Sequence, residues 1–224
     1  LHLGMLVEPV EQREVYLRKA LMLFPRWPYA RAVLVNYLIE AGRCLEALQY
    51  STGHEEEGLD LCAAHASALF YLGRYEQAAV HFQKVLQQTQ DFNPGLLADL
   101  WSALLHSGDV REAHKVIQVA LKHFPDDFSW RIRLGRTCLR LGRIRDVELI
   151  LAGASLDGAI LELGYDLAVE QQNWREALQY AERMRAEDQP EGVVRRLRIW
   201  LELADWQSVD RWLQQERHSA QLWA

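Results

Sequence analysis

Two stretches decide how this chain folds: Leu96–Leu121, LLADLWSALLHSGDVREAHKVIQVAL, and Ser129–Ala154, SWRIRLGRTCLRLGRIRDVELILAGA. Gly108 and Gly142 stand at the same place in each, 34 residues apart. On either side of the glycine, apolar residues recur at helical spacing: Leu97, Leu100, Trp101 and Leu104 before it, Val110, Ala113, Val116, Ile117 and Ala120 after it. That spacing gives each segment one apolar stripe. A pair of amphipathic helices joined by a turn cannot bury both stripes alone, so a unit repeated at this period must stack on copies of itself.

Working outward, the turn residue recurs as Gly42, Gly73, Gly108 and Gly142, then as Gln172 and Ala204 where glycine is replaced; the intervals are 31, 35, 34, 30 and 32 residues. Each turn joins two helices, and the residue at its centre is predicted to take a left-handed conformation. Phe24-Pro25 and Phe124-Pro125 close second helices, because proline cannot continue one. This reading gives an all-α, right-handed solenoid of helical hairpins forming one domain over 1–224: a half-repeat at 1–27, then repeats near 28–58, 59–93, 94–127, 128–157, 158–189 and 190–224. Second helices are predicted to stop early at Gly53 and Gly153. Phe92-Asn93-Pro94 and Asp188-Gln189-Pro190 are the expected hinges or turns between repeats.

Three segments carry a family resemblance: RYEQAAVHFQKVL (Arg74–Leu86), DVREAHKVIQVALKHFP (Asp109–Pro125) and NWREALQYAERM (Asn173–Met184). They resemble the second helix of tetratricopeptide repeats, with a turn aromatic at Tyr75, Trp174 and Trp206. A small residue follows at Ala47, Ala78, Ala113 and Ala177, with Val147 and Val209 as departures. The resemblance implies that the small residue lies where the two helices of a hairpin cross, a place that admits little bulk. It covers nearly the whole chain. The family's first-helix glycine survives as Gly135 and Gly164, while Trp101 takes its place in the third repeat, where a wider crossing is expected.

Half of the residues are hydrophobic, enough for a continuous core, and the net charge of −6 argues against nucleic acid as a partner. No apolar run is long enough to span a bilayer. The chain begins with Leu, within a helical pattern, and ends in the apolar Leu222-Trp223-Ala224, as expected of a piece of a longer protein, with end-to-end self-association open to it. Three cysteines, Cys44, Cys62 and Cys138, have no metal-ligand spacing and cannot all pair. They favour a reducing, cytoplasmic compartment over a periplasmic one without deciding between them.

No enzyme is expected within these residues. The eight histidines bring no HExxH motif, since Gly58 stands where the second His would be, and no nucleophile elbow, phosphate loop or paired-carboxylate signature is present. Cys62 and His65 lie one helical turn apart with nothing nearby in sequence to complete a ligand set, so no metal and no cofactor are predicted. His65 is read instead as a core histidine satisfied by a hydrogen bond at the hairpin crossing.

The strongest charge feature runs from Phe128 to Arg145: Arg131, Arg133, Arg136, Arg140, Arg143 and Arg145, with no acid. Arg133, Arg136 and Arg140 fall within roughly 60° of one helix face. By the resemblance, this face lines the concave groove that takes peptides, and arginine forks suit carboxylates. Asn36, Ser67, Ser102, Tyr165 and Arg198 fall in the column of Arg136. The column Asp99, Arg133, Glu162, Arg195 alternates in sign, which predicts ion pairs between neighbours, and Arg198 is expected to pair with Glu202. The groove candidates are therefore Arg136 and Arg140, with Arg133, Arg198, Asn36, Ser102 and Tyr165. The two-carboxylate clamp of chaperone-binding relatives would need a lysine at Ala32 beside Asn36 and is not matched. Of the tryptophans, Trp174, Trp200 and Trp206 are assigned to the core, and Trp27, Trp130, Trp212 and Trp223 to an exposed patch or a repeat interface.

These readings converge on a protein-interaction scaffold that binds a peptide or helix, in one form an acidic segment. The competing reading is a recruiting or assembly arm of a larger enzyme or envelope export machine whose catalytic part lies elsewhere. A pentatricopeptide-like RNA reader is disfavoured by apolar columns and the wrong net charge.

Overall fold

A computed structural model describes residues 10–89, 92–153, 158–184 and 190–222, with side chains for all of these but 10–11, 190–193 and 215–222. The described residues form helices throughout: α1 (Val10–Leu23), α2 (Pro28–Glu40), α3 (Cys44–Ser51), α4 (Leu59–Tyr71), α5 (Tyr75–Gln88), α6 (Pro94–Ser107), α7 (Val110–His123), α8 (Phe128–Arg140), α9 (Ile144–Ala152), α10 (Gly158–Glu170), α11 (Trp174–Arg183), α12 (Pro190–Glu202) and α13 (Trp206–Leu222). They pair as hairpins from α2–α3 to α12–α13. The result is the all-α helical-hairpin repeat fold. The chain packs as two compact units, Leu1–Asp126 and Asp127–Ala224.

The hairpin turns share one geometry. φ lies between 69 and 89° at Gly42, Gly73, Gly108 and Gly142, and Gln172 and Ala204 adopt φ 56 and 52 despite carrying a Cβ. In five turns the following amide (Arg43, Arg74, Arg143, Asn173, Asp205) donates to the carbonyl five residues back at 2.8 or 2.9 Å. That bond satisfies a carbonyl the helix end leaves open. Helix starts are equally local: Pro28 and Pro94 occupy the first position, where no amide proton is needed, and the Asn93 side chain accepts from the amides of Gly95 and Leu96.

At the crossing, Ala47, Ala78, Ala113, Ala177 and Val147 are fully buried. In the first unit one core forms where Leu34, Val35 and Leu38 meet Ala47 and Leu61, and another where Phe82 and Val85 meet Leu69, Leu96 and Leu100. In the second unit Cys138, Val147, Leu163 and Leu167 form one core, and Tyr165, Ala168, Ala177, Ala181 and Ile199 the next. Gly135 lets α10 approach: a Cβ there would lie 2.4 Å from the Leu163 side chain. In the first unit α2 packs along α4, whereas α6 meets α4 at only a few residues; Trp101, in the place of that glycine, is buried. α3 and α9 are short, 8 and 9 residues against 14 in α5 and α7.

Trp130 is 1% exposed, its indole covered by the Arg133 guanidinium 4.8 Å from the ring, which excludes it from an exposed patch and leaves the repeat-interface alternative. One tryptophan requires a correction. Trp206, assigned to the core, is 63% exposed at the start of α13. Trp27 is exposed, Trp174 and Trp200 are half-buried, and Trp223 lies outside the described residues. The Asp188-Gln189 turn also lies outside them.

Candidate functional site

The arginines of α8 owe their positions to helix periodicity. Ile132, Gly135 and Cys138 are buried, which turns Arg136 partly and Arg140 fully toward solvent. On α10 the buried Leu161, Leu163 and Leu167 leave Glu162 and Asp166 on the open side. α12 adds Arg195 and Arg198, set by buried Ile199 between them and the following turn.

These side chains do not form a plain row of cations. The Glu162 carboxylate accepts from Arg136 at 2.7 Å and lies 3.5 Å from Arg195. Arg136 is thus tied, contrary to the reading that left it free; Glu162 takes the arginine one turn along α8 as well as the one on α12. The Arg133 guanidinium donates to Ser129 Oγ at 2.8 Å and stacks on Trp130. Arg198 forms no ion pair with Glu202, or with any acid among the described residues, since two exposed side chains gain little from pairing in water. Arg140 is exposed and likewise has no acid partner among the described residues. Tyr165 is 6% exposed, with the Arg195 guanidinium 5.5 Å from its ring.

Electrostatics mark the same patch. Burial pushes the Tyr165 phenol up, against the pull of Arg198 and Arg195. Asp166 reaches solvent yet is crowded by protein, and this desolvation raises its carboxyl above the ordinary range although Arg136 and Arg195 pull it down. The second unit therefore brings together Arg136, Arg195, Arg198 and Tyr165, with Glu162 and Asp166 among them. Asn36, exposed on α2, and Ser102, half-buried on α6, belong to the first unit. Ala32, where a clamp lysine would stand, is buried at 3% exposure and faces the core.

His65 is buried, 4% exposed, and hydrogen-bonded, but its partner, Ser51 Oγ 2.8 Å from Nδ1, lies on α3 of the preceding hairpin and not at the crossing within its own. Unforeseen from sequence, the fold also brings His81 and Glu55 to it. The His65 and His81 rings stand edge to face at 4.8 Å, Cys62 Sγ lies 3.7 Å from His81 Nδ1, and Glu55 Oε1 lies 3.6 Å from His65 Nε2. Only the helical spacing from Cys62 to His65 was readable; His81 comes from the next helix and Glu55 from the loop before α4. Among the described residues no three metal-ligating side chains have the arrangement of a metal site, and no helix is long and apolar enough to cross a membrane.

Stacked hairpins, left-handed turns and small crossing residues define a helical-repeat protein. Residues 69–131 match the family model described as tetratricopeptide repeat. Solved structures share the fold over most of the chain. YrrB, described as a TPR protein with an unusual peptide-binding site, is 16% identical, with a TM-score of 0.58 over 85% of this chain and 97% of that one. PilW, described as a type IV pilus biogenesis factor, is 18% identical, with a TM-score of 0.64 over 83% and 90%. Pseudomonas aeruginosa pilF is 18% identical, with a TM-score of 0.59 over 89% of each chain. No curated protein matches the sequence. The family match is confined to residues 69–131, and over most of its length the chain shares the helical-hairpin repeat fold of these structures.

Proposed function

We propose that the chain acts as a non-catalytic scaffold that captures an acidic segment of another protein on the first-helix face of its second unit. The observation that carries this reading is the gathering of Arg136, Arg195 and Arg198 around Tyr165, with Arg198 and Arg140 free of acid partners among the described residues. A carboxylate arriving from the ligand finds unpaired guanidinium forks at Arg198 and Arg140. At Arg136 it competes with Glu162, so the ligand exchanges for an internal carboxylate rather than filling an empty site. That exchange favours ligands with several acids over a single carboxylate. The description of YrrB as having a peptide-binding site lends the peptide mode support.

The test is charge reversal at Arg140 and Arg198, which the structure places outside the core. Binding of a fluorescent glutamate-rich peptide is followed by anisotropy, and helicity by circular dichroism. The double variant Arg140→Glu, Arg198→Glu should bind at least tenfold more weakly with helicity unchanged; equal binding would sink the acidic-ligand reading. A second reading, a recruiting or assembly arm, takes its support from the description of PilW as a pilus biogenesis factor. Affinity capture from source lysate with the unaltered and double-variant proteins separates the two: a multisubunit assembly retained equally by both favours the arm.

A further inference from the structure

A cavity of about 400 Å³ opens in the first unit where α3 stops short. α3 has 8 residues where α5 and α7 have 14, so at 1.5 Å per residue about 9 Å of covering helix is missing. The chain turns away at Gly53, φ 80, and Thr52–Gly58 crosses to α4 as an acidic loop. Two of its acids are engaged elsewhere, Glu57 with His54 at 2.8 Å and Glu56 with Lys84. Glu55 turns inward: its Oε1 accepts from the Gly53 amide at 2.9 Å and faces His65 Nε2 across 3.6 Å, beyond hydrogen-bond length.

The tautomer of His65 follows from Ser51. The buried Ser51 Oγ lies 3.2 Å from the carbonyls of both Ala47 and Leu48, so its one proton is directed to the backbone. Its lone pair is then left to accept the Nδ1 proton of His65 at 2.8 Å. Neutral His65 consequently presents the lone pair of Nε2 to a carboxylate, two acceptors turned toward each other at the wall of an open cavity. The arrangement lacks a donor between them. Leu48, Leu69 and Val80 line the cavity beside this pair, an apolar wall for a hydrocarbon stem, and Arg74 stands at the rim.

We infer that this cavity is a second binding site, one that takes the ammonium group of a lysine side chain from a partner protein, donating one N–H to His65 Nε2 and another to Glu55 while its methylene stem lies on Leu48, Leu69 and Val80. An ammonium has the three donors and the charge that the pair calls for. A guanidinium is a poorer match, because its planar fork suits two oxygens of one carboxylate. The site rests on residues of the first unit alone and does not depend on the acidic-ligand reading of the second.

Acid acts against the site. A proton on Nε2 fills the same place as the ammonium; burial holds the His65 imidazole below its ordinary range, with His81 acting in the same direction and Glu55 opposing. Cys62 on the same helix, Glu56 on the loop, and Arg74 and Lys84 on α5 complete the set of charged and titratable neighbours.

The test uses the whole chain and the blocked peptide acetyl-Gly-Lys-Gly-amide, with its Nε-acetylated form as the uncharged control. At pH 7.5 the ¹⁵N shifts of the His65 ring should show the proton on Nδ1, and the peptide should move the His65 signals in a saturable way that the acetylated form does not reproduce. Glu55→Gln should weaken the peptide at least tenfold, and His65→Leu, which places an apolar residue at this buried position and whose stability is read separately by its melt, should remove it. Binding should also weaken as the pH falls through the lowered His65 range, below the ordinary 6.5. A proton found on Nε2 at pH 7.5, equal shifts from the acetylated peptide, or unchanged binding in Glu55→Gln would each overturn the site. Tight stoichiometric binding of added zinc with no response to the peptide would overturn it too, reassigning the pair to a metal.

Discussion

Gln172 and Ala204 carry the local cost of the repeat most visibly. Both hold the left-handed turn conformation that four other turns give to glycine. For a residue with a Cβ that conformation costs about 1 to 2 kcal/mol, whereas glycine adopts it freely. Glycine also loses more backbone freedom on folding, so the net gain from Gln172→Gly or Ala204→Gly is expected to be roughly 0.5 to 1 kcal/mol. Chemical denaturation of each variant should show a raised midpoint, and Gly108→Ala, at φ 89, a lowered one. A lower midpoint for both glycine variants would mean that the side chains make compensating contacts. The turn position was legible at this scale because a 34-residue period fixes it whatever residue occupies it. Partners from other helices were not: Arg136 read as free because its partner, Glu162, lies on α10, and sequence columns do not show which of two arginines on α8 a carboxylate will reach. Arg198 read as paired because the four-residue spacing to Glu202 was right, yet the spacing alone does not hold two exposed side chains together.

α1 shows how a helix is fastened by charge as well as by packing. Arg18 and Arg43 each bind both Glu14 and Glu46, with contacts from 2.5 to 2.9 Å, and close a four-membered ring between α1 and α3; Arg18 also donates to the Tyr50 hydroxyl at 2.5 Å. Apolar cover comes from Leu17 and Leu21, which join the first core, whereas Val15, Tyr16, Met22 and Leu23 of α1 are exposed. Hydrogen bonds from Arg18 and Arg43 hold the Glu14 carboxyl below the ordinary 4.5, and Arg18 does so first for Glu46. Since the folded values are lowered, the unfolded chain binds protons first as the pH falls. The contribution of the ring is therefore present at neutral pH, begins to decline near pH 4.5 and is lost as pH drops through the lower folded values. Hydrogen exchange read segment by segment should show α1 losing protection in that window ahead of α4 and α5, and should show the same order on adding salt at pH 7 because the ring is partly exposed. Loss of protection in α4 and α5 first would place the acid-sensitive contacts elsewhere. The helices and their ends were legible in the sequence through prolines, capping residues and apolar spacing. This ring was not, since its members lie up to 32 positions apart in sequence and no repeat position requires them.

At the scale of the whole molecule, a net charge of −6 works against an acidic ligand. Such a ligand is repelled at a distance and attracted only near Arg140, Arg198 and Arg136, so the proposed site depends on a local field opposed to the global one. Salt weakens both, but not equally. The attractive contacts lie within a few ångströms, whereas the repulsion arises from charges spread over the chain, and screening acts over about 10 Å at 0.1 M. Raising ionic strength from very low values should first relieve the repulsion and leave affinity level or slightly higher; above about 0.1 M, where the Debye length falls below 10 Å, it should weaken the exposed arginine contacts. A glutamate-rich peptide titrated from 10 to roughly 500 mM salt is therefore expected to show a maximum or plateau followed by at least a tenfold loss, in contrast to the continuous decline of a basic protein on a polyanion. Arg140→Glu should flatten the high-salt fall, because one of the screened contacts is gone. If affinity instead rises steadily with salt, apolar burial holds the ligand, and exposed Leu201 and Trp206 become the surface that selects it.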